Sequence, residues 1–334
     1  MRRFLRNSTE EINELIILVA QKKQLPEVIV EKDLWVSYVL EYLFNRCTYK
    51  DFFEFKGGTS LSKGYNLINR FSEDVDIVLN SRVLGIDIET VLALESKNQK
   101  QKKADELNTK ALEFYETGLV SLFETEMNAE LNKPIHVSLN KEELAIYIEY
   151  PSSYSDGYIR NSVKLEMGPL AAWTPNEKRT VKSFIQEFYP NLFFNSEFVV
   201  LITMPKRTFW EKAVILHQEA NRKEGKIPPR YSRHYYDLYR MFSSYVKNDA
   251  LADIALLNEV RKFTSSFYYR SWSKFEEAVP GTFKMYPNAQ YMHELENDYK
   301  RMQSMIFGND APNLKTVLDV IKQLEDEINS LEEK

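Results

Sequence analysis

The stretch Phe55-Lys56-Gly57-Gly58-Thr59-Ser60-Leu61-Ser62-Lys63, followed after six residues by Arg70-Phe71-Ser72-Glu73-Asp74-Val75-Asp76-Ile77-Val78-Leu79, decides how this chain is read. Phe52 to Phe55 has strand character and stops at a glycine pair. Leu61 to Ile68 then has the spacing of a short helix, with Thr59 or Ser60 placed to cap it. Asp74 to Leu79 alternates as a strand does. Successive strand side chains point to opposite faces, so Asp74 and Asp76 share one surface while Val75 and Ile77 turn to the core. Their Cα atoms lie ~6.5 Å apart, within reach of two magnesium ions ~4 Å apart, the spacing of two-metal phosphoryl and nucleotidyl transfer. The same alternation in Val163-Lys164-Leu165-Glu166-Met167 offers Glu166 as a third carboxylate from a neighbouring strand.

Upstream, the turn Gly57-Gly58-Thr59-Ser60 opens a helix, where free N–H groups, the helix dipole and two hydroxyls favour a phosphate. An Asp-x-Asp pair alone is common surface chemistry, and a glycine pair alone is a turn. Their order, strand, glycine-hydroxyl turn, helix, acidic strand, is what points to a polyphosphate and a hard cation.

Composition sets the bounds. With 334 residues, 43% apolar and 28% charged, the chain is long enough for one large domain or two moderate ones. The N-terminal MRRFLRNSTEEINELIILV has neither a secretory core nor a membrane span, so the expected location is cytoplasmic, with no membrane partner. A single cysteine, Cys47, forms no internal disulfide, and the four histidines show no zinc spacing. Any metal is expected to be a hard cation on oxygen. The net charge of -5 is unevenly spread: between Pro205 and Lys247 ten Lys or Arg face four Asp or Glu, near +6, against near -11 elsewhere.

Residues 9 to 22 and 30 to 45 carry helical spacing, and 95 to 131 reads as charged helix. Further strands are expected over 135–139, 144–150, 158–166 and 198–204. From Pro205 onward the periodicity is helical, at 208–221, 233–246, 251–263, 292–306 and 314–331. Two domains are therefore expected, 1–204 and 205–334. Glu31, Lys32 and Asp33 read as a capping and salt-bridge cluster rather than as reacting groups.

Together these segments resemble the AbiEii-type nucleotidyltransferases, the toxin components of type IV toxin-antitoxin and phage abortive-infection systems. The likeness is carried by the glycine and Asp-x-Asp segments quoted above, by Glu31-Lys32-Asp33-Leu34-Trp35, by Arg207-Thr208-Phe209-Trp210-Glu211-Lys212, by Arg233-His234-Tyr235-Tyr236-Asp237-Leu238-Tyr239, and by Asp298-Tyr299-Lys300-Arg301-Met302. It implies an α+β fold: a polymerase-β-like nucleotidyltransferase core with a mixed β-sheet, then a mainly helical C-terminal domain completing the active-site cleft. It implies Mg2+, or Mn2+ in its place, with an NTP as substrate and transfer of a nucleoside monophosphate to an acceptor hydroxyl, a tRNA 3′ end, blocking translation. A cognate antitoxin is the implied partner.

The site set is then Asp74, Asp76 and Glu166 for metal; Gly57, Gly58, Thr59, Ser60, Lys63 and Lys212 for the nucleotide; and Asp74, Asp76, Glu166, Lys212 and Asp237 for catalysis. Two departures from the pattern stand out. Fifteen residues lie between Gly58 and Asp74, more than the superfamily usually has, which a longer helix would absorb. His234 stands where many members carry Asp, so Asp237 takes over the acidic position. Two other readings use the same residues: a metal-dependent ribonuclease, which needs no triphosphate cradle, and a catalytically silent interaction module.

Overall fold

The computed structural model describes residues 1–72, 74–155, 160–303, 305–307 and 311–332. Glu73 and part of the expected strand 158–166 lie outside the described residues, as does residue 304 of the expected helix 292–306. The fold is α+β. By internal packing the chain divides into two compact units, one of 1–64, 71–91 and 102–203, the other of 65–70, 92–101 and 204–334.

The first unit is built on a seven-stranded sheet: β1 (Phe53–Lys56), β2 (Asp74–Leu79), β3 (His136–Asn140), β4 (Ala145–Glu149), β5 (Ser162–Gly168), β6 (Asn176–Val181) and β7 (Phe198–Thr203), in the order β3-β4-β5-β2-β1-β7-β6. The sheet is mixed. β2 runs parallel to β5 and β1 parallel to β7, while the remaining neighbours are antiparallel. One face is apolar, with Phe53, Phe55, Val75, Ile77, Val163, Leu165, Ile146 and Ile202 all buried. Helix Glu27–Asn45 packs against β7 and β5, and helix Val120–Leu131 against β3. The opposite face carries the polar residues of the same strands, and the candidate site lies there. β6 is an edge strand outside the set expected from sequence; its Asn-Glu-Lys-Arg-Thr-Val has almost no apolar alternation to reveal it.

Helix Glu27–Asn45 begins earlier than expected, which places Glu31, Lys32 and Asp33 inside it, all three buried. Each is satisfied within the first unit. Glu31 accepts from the Ser152 hydroxyl and the Ser153 N–H, Lys32 Nζ donates to the carbonyls of Arg160 and Ser162, and Asp33 accepts from Phe184 N–H and pairs with Lys63.

The second unit is helical, with helices Pro205–Ala220, Ser232–Phe242, Tyr245–Leu251, Ile254–Phe267, Met292–Gln303 and Leu314–Asn329. Trp210, fully buried, donates its indole N–H to the Ala250 carbonyl at 3.2 Å. Segment 65–70 is pinned here by the Phe307 N–H to Asn69 carbonyl bond at 2.7 Å and by a bridge between Arg70 and Ile306. The extra length between Gly58 and Asp74 is therefore this segment, and not a longer helix: the helix is Gly57–Lys63, seven residues.

Candidate active site

The site is assembled by strand register. Asp74 lies opposite Lys164 and Asp76 opposite Glu166 in the parallel β2–β5 pair, so all four side chains emerge on the polar face. On the other side of β2, Asp76 lies opposite Lys56, the residue just before the glycine pair.

That register brings Gly57 against Asp76. Gly57 has φ +77°, and a Cβ added there would lie 1.8 Å from Asp76 Oδ2. Only glycine fits, for two independent reasons: the left-handed backbone and the occupied space. The helix starts at Gly57 itself, directly on the end of β1, and not after Thr59 or Ser60. Neither hydroxyl caps it. Thr59 Oγ1 donates to the Asp74 carbonyl at 2.6 Å and Ser60 Oγ to the Gly57 carbonyl at 2.9 Å, and both side chains are buried. The Thr59 hydroxyl thus fastens the helix to β2 and the Ser60 hydroxyl closes its first turn, which leaves first-turn N–H groups as this segment's donors toward an anion.

Lys63, at the far end of the same helix, is paired with Asp33 and sits 5.3 Å from the Phe184 ring centroid. In this structure it ties the helix to the unit. Lys164 bridges Glu166 at 2.6 Å and Glu143 at 2.9 Å. Burial alone would lower its ammonium, but the bonds to the two glutamates override this and hold it above its ordinary value.

Among the described residues no three or more His, Cys, Asp or Glu form a ready metal-binding group. The donor set suits magnesium in its usual mode, one or two carboxylates with the remaining positions taken by water and substrate phosphate. Asp74 and Asp76 supply two carboxylates on one face, and Glu166, the third, is engaged by Lys164.

Within the second unit, Lys212 and Asp237 meet in a buried ion cluster. Arg70 grips Asp237 bidentately, Nε to Oδ1 at 2.7 Å and Nη2 to Oδ2 at 2.8 Å, while Lys212 Nζ reaches Oδ2 at 2.8 Å. Burial would raise the Asp237 carboxyl; Arg70 and then Lys212 overrule it and hold it well below the usual carboxylate range. The Lys212 ammonium is lowered by burial against the pull of Asp237. His234, one turn before Asp237, is pushed well below its ordinary value by burial and by Lys212 and Arg233, and its Nδ1 is buried with no hydrogen-bond partner.

Arg70 is the residue that sequence reasoning missed as a participant. The available signal was Asp237 itself, flanked by Tyr236 and Leu238 in a helix, since a buried carboxylate requires cationic partners.

A mixed sheet whose central acidic strand lies beside a glycine-opened helix, on a face bearing paired carboxylates, is the arrangement expected of a nucleotidyltransferase, and the family match shows that class: the protein is a nucleotidyltransferase. Comparison with known families narrows this further. Residues 39–321 match the nucleotidyl transferase AbiEii toxin family of type IV toxin-antitoxin systems, and the chain belongs to that family. A comparison with curated proteins returns no match. Among solved structures it is similar to MenT4, a nucleotidyltransferase toxin from Mycobacterium tuberculosis H37Rv, at 14% identity over 95% of this chain and 90% of that one, with a TM-score of 0.54. At that identity the likeness bears on the fold.

Proposed function

We propose that this protein is a magnesium-dependent toxin that transfers a nucleoside monophosphate from an NTP to the 3′ hydroxyl of a tRNA. The observation that carries the reading is the contact of Asp76 with Gly57, which fixes an acidic strand against the first turn of a helix, with Asp74 on the same face.

Asp74 and Asp76 hold the cation through carboxylate oxygens. When bound, magnesium lowers the pKa of the attacking hydroxyl and neutralises charge on the departing pyrophosphate. The first-turn N–H groups at Gly57 and Gly58 position phosphate oxygens. Glu166 can complete the oxygen set or take the hydroxyl proton only by releasing Lys164, which has Glu143 as its second partner. Lys212 is the lysine proposed to contact the nucleotide, and within the second unit Asp237 with Arg70 keeps its ammonium in place. An antitoxin is the partner that restrains the enzyme, and the proposed location is the cytoplasm. Among the described residues no helix is long and apolar enough to cross a membrane.

The test is to incubate the protein with magnesium, total tRNA and each α-labelled NTP in turn. Labelled, lengthened tRNA is the expected product, lost with EDTA and reduced roughly 100-fold or more in Asp76→Ala, whose melting temperature stays close to wild type. Shortened RNA without label incorporation would make the protein a ribonuclease instead. A fully active Asp76→Ala enzyme would remove the assignment of the site.

A further inference from the structure

We propose that the sheet face beside the carboxylates carries a subsite for one unpaired base of the RNA acceptor, built on Tyr147 and Arg160; this rests on the reading of the chain as an RNA-directed transferase. An open cavity of about 610 Å³ lies at the outer strands of the first unit, lined by Ser138, Asn140, Tyr147, Glu149, Arg160 and Asn161 among others. Its place follows from register. Ser138 lies opposite Tyr147, Tyr147 opposite Lys164, and Lys164 opposite Asp74, so a single row crosses four strands and ends at the acidic pair. With neighbouring strands ~4.8 Å apart, Tyr147 stands about 10 Å from Asp74 along the sheet. A short run of nucleotides spans that separation, whereas a triphosphate held at the carboxylates has no reason to extend there.

The lining chemistry favours a base over a phosphate. The Tyr147 ring is fixed by its hydroxyl, which donates to Glu143 at 2.7 Å, and the Arg160 guanidinium lies 5.6 Å from the ring centroid. A held aromatic ring beside a planar cation is a stacking platform, the device by which proteins bind unpaired bases. Around it, Ser138 and Asn161 offer both donors and acceptors, and the Glu149 carboxylate accepts from the exocyclic amino groups on base edges. Glu143 and Glu149 together make the position poor for a phosphate. The chain at Arg160 is itself anchored, because the buried Lys32 donates to its carbonyl at 2.9 Å.

Binding of a fluorescein-labelled single-stranded hexaribonucleotide to the full chain, followed by anisotropy without NTP, tests the subsite apart from catalysis. Tyr147→Leu should raise Kd about 10-fold or more, and Tyr147→Phe, which keeps the ring but loses the bond to Glu143, should bind more tightly than Tyr147→Leu and less tightly than wild type. Arg160→Gln should weaken binding as well, and it decides the question by itself should Tyr147→Leu fail to fold. Wild-type affinity in both Tyr147→Leu and Arg160→Gln would overturn the proposal even if tRNA transfer is confirmed. Tyr147-dependent RNA binding in a protein that labels no RNA would leave the subsite standing and defeat the transferase reading.

Discussion

At Gly57 a backbone requirement and a functional contact coincide. Its φ of +77° excludes a side chain on strain grounds, and the missing Cβ leaves the space that the Asp76 carboxylate occupies. Gly85 separates the two effects, because it has nearly the same φ, +75°, with nothing within 4 Å of an added Cβ. Gly85→Ala should therefore cost only the left-handed backbone penalty, about 1–2 kcal/mol, with transfer activity retained. Gly57→Ala should carry that penalty and also displace Asp76, so transfer should fall roughly 100-fold or more while the fold survives. Urea denaturation paired with the labelled-nucleotide assay distinguishes them; equal activity in the two variants would mean that the glycine contact does not matter to the chemistry. At the same scale, Asp237 is legible in the sequence through the resemblance of its motif, but its partner Arg70 is not. Arg70 lies 167 positions away in a segment whose membership of the second unit only folding reveals.

At the scale of elements, the alternation of Asp74 to Leu79 is readable because a half-buried strand has to place apolar residues at every second position. The same alternation leads to the expectation of Glu166 on a neighbouring strand, but the register does not follow from it, and the register sets Asp76 beside Glu166 and introduces Lys164 as a competitor for the carboxylate. The helix after β1 starts earlier than its hydroxyl residues suggest for a related reason. Glycine pairs signal a break, but here the break is a single left-handed residue and the helix continues straight from it. The charged triplet in helix Glu27–Asn45 shows how elements are tied together: Lys32, 2% exposed, holds the chain into β5 through two carbonyls. Lys32→Met keeps the volume and removes the donor, leaving the Arg160 and Ser162 carbonyls without it. The expected loss is about 2–3 kcal/mol in urea denaturation, an unsatisfied-group cost. A change within about 0.5 kcal/mol would show that water replaces the ammonium and that the tether is dispensable.

For the molecule as a whole, the lopsided charge in the sequence has a different meaning once the second unit is folded. The segment from Pro205 to Lys247 holds ten cations, which read in isolation as a basic surface for nucleic acid. At least five of them are paired with carboxylates inside the unit: Lys206 with Asp253, Arg207 with Glu211, Lys212 with Asp237, Arg222 with Glu219 and Lys247 with Glu327. Charge that is already neutralised within the protein releases no counterions when RNA binds, so the salt dependence of affinity reports how much of the segment engages phosphate. For single strands each neutralised phosphate contributes about 0.7 to the slope of log K against log salt, so ten engaged cations would give a slope near about -7, and the other five alone no steeper than about -3.5. We expect the shallower value when binding of a single-stranded oligoribonucleotide of about 20 residues is titrated from about 50 to about 300 mM KCl, with base stacking supplying the affinity that phosphate contacts do not. A slope near about -7 would mean that the internal ion pairs open on RNA binding, and the basic segment would regain the role its composition suggests.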